Sequence, residues 1–214
     1  MQIVENIYDI RLQLLLCIHH LGVLAASIIF DDYGTQQSTV NALYKSLFAA
    51  SRLLHVNIIV AAHAKISMNE KKYPVDSCRG NIQKYTAYSS TTNITKTSGQ
   101  LINENIRFDP TNDKENINDD YFYQELQLVK YKALQFTKER NWVSYDTLKN
   151  LLFATNSELA ELCKIFQWKE QDNATRQLSD SEWNKAAQEI ADVLIYTLKL
   201  ENAINLQNND INDK

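Results

Sequence analysis

The 214-residue sequence contains only four glycines and two prolines, where average usage would give roughly fifteen and ten. Glycine supplies the positive φ angles that tight hairpins and phosphate-binding loops require, and proline marks many turns. The sequence contains neither a G-x-G-x-x-G nor a G-x-x-x-x-G-K-[ST] motif, which excludes both common nucleotide-binding loops. Sandwiches, barrels and doubly wound sheets need more turn residues than this chain has. The composition therefore predicts an all-α protein.

The net charge is small and cysteines are few. The formal net charge is −4, which gives no electrostatic basis for binding nucleic acid or an anionic membrane. Cys17, Cys78 and Cys163 are odd in number and have no C-x-x-C spacing, a pattern typical of reduced thiols inside cells. We expect a cytoplasmic protein with neither nucleic acid nor membrane among its partners.

One long apolar run, residues 12–30, raises the alternative of a membrane span or a signal peptide. Glu5 and Asp9 precede the run where a signal peptide has positive charge, and His19 and His20 interrupt it. The run therefore predicts a buried helix. Because neighbouring helical residues point about 100° apart, the two histidines are poor joint metal ligands, and core or interface positions are favoured.

Helical periodicity marks two segments in the first half, residues 10–29 and 40–62. A turn is predicted at residues 31–34, and Ser38 or Thr39 is the expected N-cap of the second helix.

The second half contains three further periodic segments, which predict helices over residues 121–139, 148–167 and 181–204. Residues 89–118 are rich in Ser, Thr, Asn and charged side chains, so they bury little apolar area and predict a flexible polar linker. Residues 207–214 predict a frayed polar tail.

Two pairs of carboxylates carry the clearest chemical signal. Glu158 and Glu161 stand three residues apart on one predicted helix, and Glu189 and Asp192 stand three apart on the next. Residues at this spacing share a helix face, and acids beside an apolar stripe are costly unless neutralised. If the pairs converge, four carboxylates suit Mg²⁺, which takes oxygen ligands and keeps positions for water and phosphate. The alternative is that each pair lies on a solvated face.

The residues around these acids resemble a known family. Segments 150–154, 158–162 and 166–169, followed by E-I-A-D at residues 189–192, resemble the metal-binding helices of the all-α nucleoside triphosphate pyrophosphohydrolases, and most closely the MazG-like dCTP pyrophosphatases. Residues 136–142, F-T-K-E-R-N-W, resemble the F-x-x-E-R-x-W segment of that family. The resemblance covers roughly residues 124–200.

The resemblance implies a helical bundle and the Mg²⁺-dependent hydrolysis of a nucleoside triphosphate to the monophosphate and pyrophosphate, with Mn²⁺ as a possible substitute. It implies dCTP or a modified pyrimidine deoxynucleotide as substrate. The four acids would bind the metal. Apart from the resemblance, we expect one of these carboxylates to orient or deprotonate the attacking water, and we assign catalysis to Glu158 and Glu161, with Glu161 as the general base. Trp142 and Tyr196 would contact the nucleobase. Ala133 stands where the family has a base-enclosing histidine, which leaves the base preference open.

Other functions stay open at this point. A related all-α enzyme could hydrolyse dUTP or a phosphoribosyl nucleotide. A non-catalytic nucleotide-binding or scaffold module with the same fold is the alternative from another class. The family also forms dimers and dimers of dimers, so we expect a homo-oligomer.

The family's distal motifs are displaced in this chain. Its H-V-D and K-M-x-x-N-x-x-R-Y-P motifs do not follow Leu200, but H-V-N occurs at residues 55–57 and a basic motif follows it. The basic motif matches the family at Lys65, Asn69, Tyr73 and Pro74.

The two halves also resemble each other weakly. When residues 14–30 are aligned with 152–168, Glu158 and Glu161 correspond to His20 and Val23. In the following helices Glu189 and Asp192 correspond to Thr39 and Ala42, so the first copy keeps the basic motif and lacks the acids.

We therefore expect a fused, degenerate tandem of two MazG-like helical repeats, residues 1–88 and 119–206, that build one active site together. Lys65 and Lys72 would attract the triphosphate, and Asn69 and Tyr73 would donate hydrogen bonds to it. Two such pseudo-dimeric chains could pair again. The alternative is that the lysines form an ordinary solvated helix end.

Overall fold

The computed structural model describes residues 2–3, 7–82, 106–107, 119–169 and 177–212. Within these ranges the chain forms seven α-helices, and the all-α prediction is confirmed. The helices are α1 (Ile7–Ile29), α2 (Tyr33–Leu53), α3 (Ile58–Lys72), α4 (Val75–Cys78), α5 (Asp119–Glu139), α6 (Leu148–Phe166) and α7 (Asp180–Asn212). Two short strands, β1 (Gln2–Ile3) and β2 (Gln177–Leu178), pair in antiparallel fashion.

Two helical hairpins form the centre of the bundle. Helix α1 packs against α2, α6 packs against α7, and the hairpins meet through α1 with α6 and α2 with α7. Helices α3 and α5 pack against each other and against α7. Helix α7 is therefore the central element, and Ile190, Val193 and Leu194 in its middle are fully buried. Each half supplies one hairpin, and their origin by duplication stays a prediction.

The predicted segment 40–62 is wrong as a single helix. His55 adopts a left-handed φ of 53°, which a helix cannot accommodate. Val56 then pairs with Arg107 in an isolated bridge. The side chain of Asn57 accepts a hydrogen bond from the Val60 amide (3.2 Å) and starts α3. Apolar periodicity continues across this break because both helices bury a face in the same core.

The predicted N-cap of the second helix is also wrong. The carboxylate of Asp32 accepts a hydrogen bond from the Thr35 amide (3.3 Å), so α2 begins at Tyr33. The hydroxyls of Ser38 and Thr39 instead donate to the Thr35 carbonyl inside the helix. Aspartate and threonine both favour the N-cap position. The cap comes from Asp32, which was expected to lie in the preceding turn.

Two residues of the predicted linker are packed. Ile106 is fully buried, and its carbonyl accepts a hydrogen bond from the Asn57 amide (2.8 Å). The Arg107 guanidinium lies 4.6 Å from the centre of the Trp183 ring. The other residues of 89–118 lie outside the described part of the chain. At the C-terminus α7 continues to Asn212, so residues 207–212 of the predicted polar tail extend a helix already held in the core.

The prediction of a buried helix over residues 12–30 holds for one face of α1 and is wrong for the opposite face. Its inner stripe is buried in the core and consists of Ile10, Leu14, Cys17, Leu21 and Leu24. Among the described helices α1 is the one long and apolar enough to cross a membrane, and only 28% of its most apolar window is buried. Its outer surface is apolar and exposed at Leu12, Leu15, Leu16, Ile18 and Ile29.

A capping box starts α7 and yields a stability prediction. The Ser179 amide donates to Glu182 Oε2 (2.9 Å), and the Glu182 amide donates to Ser179 Oγ (3.2 Å). We expect Ser179→Ala to lower the free energy of unfolding by about 1 kcal/mol, because a helix-terminal amide loses its acceptor. Urea unfolding measures this loss. Ser181→Ala, an exposed serine in the same helical turn, is the control, and equal losses in the two variants would contradict the capping role.

Candidate active site

Three carboxylates converge between α6 and α7. Glu158 projects from α6, Glu189 and Asp192 project from α7, and their ligand oxygens all lie within 4.8 Å of one another. Glu189 and Asp192 are buried, and Glu158 is half-buried. Glu161 lies about one turn further along α6, half-buried, and is not part of this three-carboxylate group. The hairpin α6–α7 thus brings both predicted pairs to one region.

Burial makes this group electrostatically unfavourable. Desolvation, reinforced by the charges of Asp192 and Glu189, raises the pKa of Glu158 to about 7. Burial also raises the pKa of Asp192, and the nearby Lys65 opposes that shift without cancelling it. Like charges held together away from water favour protonation or a bound cation. Clustered carboxylate oxygens are the donor set that Mg²⁺ prefers, so the residues present fit a divalent cation.

Lys65 from the first half reaches this group. Its Nζ lies 2.8 Å from Asp192 Oδ2, and the two side chains are 9% and 11% exposed. Burial alone lowers the pKa of Lys65, but the charge and hydrogen bond of Asp192, together with the charges of Glu189 and Glu158, outweigh burial and raise it, so the ammonium stays charged. Lys72 is half-buried nearby, and burial followed by repulsion from Lys65 lowers its pKa. The basic motif and the acidic motifs therefore meet in space.

The F-x-x-E-R-x-W segment, residues 136–142, forms hydrogen bonds with the backbone at the end of α3 and just after it. Buried Arg140 donates from Nε to the carbonyl of Tyr73 (2.7 Å), and its guanidinium lies 3.7 Å from the centre of the Phe136 ring. The Arg140 carbonyl accepts from the Gly80 amide (2.8 Å). Trp142 Nε1 donates to the Cys78 carbonyl (3.1 Å). These bonds join the first half to the second beside the acids.

Trp142 and Tyr196, the two aromatic residues predicted to contact the nucleobase, have different surroundings. Trp142 is only 8% exposed, and the ring of Tyr73 meets it edge-on at 5.5 Å. Much of the stacking face expected of Trp142 is therefore covered by the protein. Tyr196, one turn beyond Asp192 on α7, is half-buried; burial and then the charge of Glu158 raise its pKa. Asn69 is half-buried, one turn after Lys65 on α3.

An ion pair that the sequence did not predict lies beside Tyr196. Lys199 Nζ lies 2.8 Å from Asp146 Oδ1, with side chains 11% and 20% exposed. The ammonium lies 5.4 Å from the centre of the Tyr196 ring. The spacing of Asp192, Tyr196 and Lys199 is i, i+4, i+7, which places all three on one face of a helix. That spacing could have identified Lys199, whereas nothing local in the sequence identifies Asp146.

The carboxylate group predicts an unusual response to pH in metal-free protein. The folded-state pKa of Glu158, about 7, lies above its ordinary value of 4.5. The fold therefore loses stability as pH rises between these values and loses no more above them. We expect Glu158→Gln to remove much of this loss, so that at pH 8 in EDTA its Tm exceeds that of the wild type. Thermal unfolding from pH 4.5 to 8 measures the effect.

Glu70→Gln is the matched control, because Glu70 is an exposed glutamate of α3. Its Tm should follow the wild type at every pH. A wild-type Tm that rises steadily from pH 4.5 to 8 in EDTA, with Glu158→Gln parallel to it, would contradict the electrostatic account.

Comparison with known proteins agrees with this arrangement. Residues 153–214 match the MazG-like family. The chain is 34% identical over 76 residues to dCTP pyrophosphatase 1 of Bos taurus, a match that covers 35% of this chain and 45% of that protein. The proteins of the same name from Mus musculus and Homo sapiens are 37% identical over the same shares.

The chain thus spans less than half the length of the curated relatives it matches. No solved structure gives a significant match. The matched region begins in α6 and includes all of α7, the two helices that carry the three convergent carboxylates. Over this region the chain is similar to the MazG-like family.

Proposed function

We propose that the chain is a Mg²⁺-dependent nucleotide diphosphatase, which hydrolyses a nucleoside triphosphate to the monophosphate and pyrophosphate. The observation that carries this proposal is the meeting of three clustered carboxylates with Lys65. A buried acidic group alone could bind a cation for structural reasons. An ammonium at its edge adds a charge that is complementary to phosphate.

The carboxylates of Glu158, Glu189 and Asp192 would hold the metal, with Mn²⁺ as a possible substitute. When bound, Mg²⁺ supplies positive charge that offsets the charge on the phosphate oxygens. Glu161 lies beside these ligands and outside their group. Its carboxylate is the candidate to orient the attacking water and accept its proton.

The first half would bind the triphosphate. Lys65 contacts Asp192 directly, and the charges of Asp192, Glu189 and Glu158 act on Lys72, so these two lysines are the candidates to attract the phosphates. Asn69 and Tyr73 follow on the same helix end, and their amide and hydroxyl groups could donate hydrogen bonds. This division of labour supports the tandem hypothesis, in which both halves complete one site.

A pyrimidine deoxynucleotide such as dCTP is the substrate class that the named relatives suggest. Tyr196, with the Asp146–Lys199 pair beside it, offers polar groups for the base. Trp142 serves mainly to support Tyr73 and the end of α3, because it is buried and hydrogen-bonded to the backbone. A panel of dCTP, modified pyrimidine triphosphates, dUTP and phosphoribosyl nucleotides would separate this enzyme from its all-α alternatives.

Replacement of a carboxylate ligand tests the reaction. We expect Glu189→Gln to lower pyrophosphate release from dCTP by about 100-fold or more, because the charge that holds the cation is lost. Pyrophosphate is measured with excess Mg²⁺, and Glu70→Gln should retain wild-type activity. A folded wild-type protein that binds dCTP and releases no pyrophosphate from any triphosphate would favour the binding-module alternative.

Lys65 offers a test with two readouts of opposite sign. In Lys65→Met the ammonium no longer competes for Asp192, so we expect Mg²⁺ to bind more tightly in the absence of nucleotide. The kcat/KM for dCTP should fall about 100-fold, because a charge-assisted contact to phosphate is lost. Calorimetry measures the first effect and pyrophosphate release the second. Lys71→Met, an exposed neighbour on α3, should change neither, and undiminished turnover in Lys65→Met would exclude the shared site.

A further inference from the structure

The Asp146–Lys199 ion pair lies beyond the carboxylate group along α7. Lys199 follows Asp192 by seven residues, which is about 10 Å along the helix axis. Tyr196 lies between them, and the Lys199 ammonium is 5.4 Å from the centre of its ring. Burial, and then negative charges that include Glu158 and Asp146, raise the pKa of Tyr196. One face of α7 therefore runs from the carboxylate group past Tyr196 to the ion pair.

Water has little access to this ion pair. Lys199 Nζ lies 2.8 Å from Asp146 Oδ1, and the two side chains are 11% and 20% exposed. In the Arg107–Asp180 pair at the start of α7, the side chains are 42% and 68% exposed. Burial of an ion pair costs desolvation energy, which the attraction between the charges often fails to exceed. Stability alone is therefore a weak reason for the Asp146–Lys199 pair.

Both members of the pair keep unused hydrogen-bonding capacity. Among the described residues, Asp146 Oδ2 accepts no hydrogen bond, and Lys199 has no acceptor other than Asp146. A carboxylate only accepts hydrogen bonds, and an ammonium only donates them. The pair therefore offers a ligand an acceptor next to a donor, in roles that cannot be exchanged.

The chain holds Asp146 in position without a ligand. Its amide donates to the Val143 carbonyl (3.1 Å), and Asn150 Nδ2 donates to the Tyr145 carbonyl (2.9 Å). The next residue, Thr147, is the N-cap of α6. Recognition is most selective when the recognising groups are fixed before the ligand arrives. The Asp146 carboxylate meets this condition.

We propose that Asp146 and Lys199 select a pyrimidine base with a 4-amino group, as in cytosine, over uracil. This inference rests on the proposed hydrolysis of a nucleoside triphosphate. Asp146 accepts a hydrogen bond from the 4-amino group, and Lys199 donates to the ring N3 or the 2-oxygen. Uracil, like thymine, carries a carbonyl oxygen at position 4. That oxygen would face a carboxylate that has no proton to donate.

The positions of the two groups determine this orientation of the base. When the phosphates bind at the carboxylate group, the sugar and then the base extend away from it. Ten residues of α6, about 15 Å, separate Leu148 from Glu158, and Asp146 precedes that helix. Lys199 is nearer, about 10 Å from Asp192 along α7. The acceptor thus comes from the more distant backbone, and position 4 is the ring position of a pyrimidine that is farthest from its sugar.

Replacement of the acceptor tests this selection. We expect the wild type to hydrolyse dCTP with a kcat/KM about 100-fold above that for dUTP. In Asp146→Asn the amide can donate as well as accept, so kcat/KM should fall for dCTP and rise for dUTP. Pyrophosphate release measures both values. A purely structural loss would lower both by the same factor, so opposite changes identify base recognition.

Asp180→Asn is the matched control, because it removes the exposed carboxylate of another α7 ion pair and should leave the dCTP to dUTP ratio unchanged. A substrate analogue tests the same contact in the unmodified protein. The triphosphate of 2-pyrimidinone deoxynucleoside is dCTP without its 4-amino group. Its kcat/KM should be about 30-fold below that of dCTP, because the hydrogen bond to the carboxylate is lost.

Equal kcat/KM for dCTP and dUTP in the wild type, a preference for dUTP, or an unchanged ratio in Asp146→Asn would overturn base selection and leave the hydrolysis intact. Calorimetry in Mg²⁺ with α,β-imido analogues of dCTP and dUTP, which resist hydrolysis, separates the two proposals in the other direction. If the wild type releases no pyrophosphate and binds the dCTP analogue more tightly, base selection stands and the hydrolysis fails. Equal binding of both analogues without hydrolysis overturns both proposals.

Discussion

The repulsion among three carboxylates that the fold holds together away from water is the constraint on which the rest of this structure depends. Lys65 offsets part of that repulsion through its contact with Asp192. The neutralising charge comes from the first half of the chain, and the three acids come from the second. The two halves are therefore bound by electrostatics as well as by apolar packing, and α7, which carries two of the acids, is also the helix that packs against most of the others.

The contacts around Arg140 follow from the same constraint. A lysine can neutralise a buried acid only if its helix is held at a fixed distance, and α3 ends in a short segment that could otherwise move. Arg140 and Trp142 bond the backbone of that segment at Tyr73 and Cys78. The acceptors of these hydrogen bonds are backbone carbonyls. Because every residue has a backbone carbonyl, the hydrogen bonds can persist when side chains of this segment change.

Sequence reasoning located the acids and the basic motif because helical spacing and flanking residues are local signals. It did not locate the break at His55, because apolar periodicity continues through a left-handed residue. The Asp146–Lys199 pair was missed because its members lie far apart in the sequence and meet only when α6 and α7 pack. The exposure of α1 was missed for a related reason: an apolar helix with two stripes has the same composition whether one stripe or both are covered.

The Lys65–Asp192 contact has a consequence for partial chains. The two charges are encoded far apart, so a polypeptide that ends before α7 contains the ammonium without its counter-charge, and a fragment that begins after α3 contains the carboxylates without theirs. A partial chain of either kind would thus contain one charge of the Lys65–Asp192 pair without the other, and it could not form the site. Synthesis of α7 would be the step at which Lys65 gains its partner Asp192 and the group of three carboxylates becomes complete.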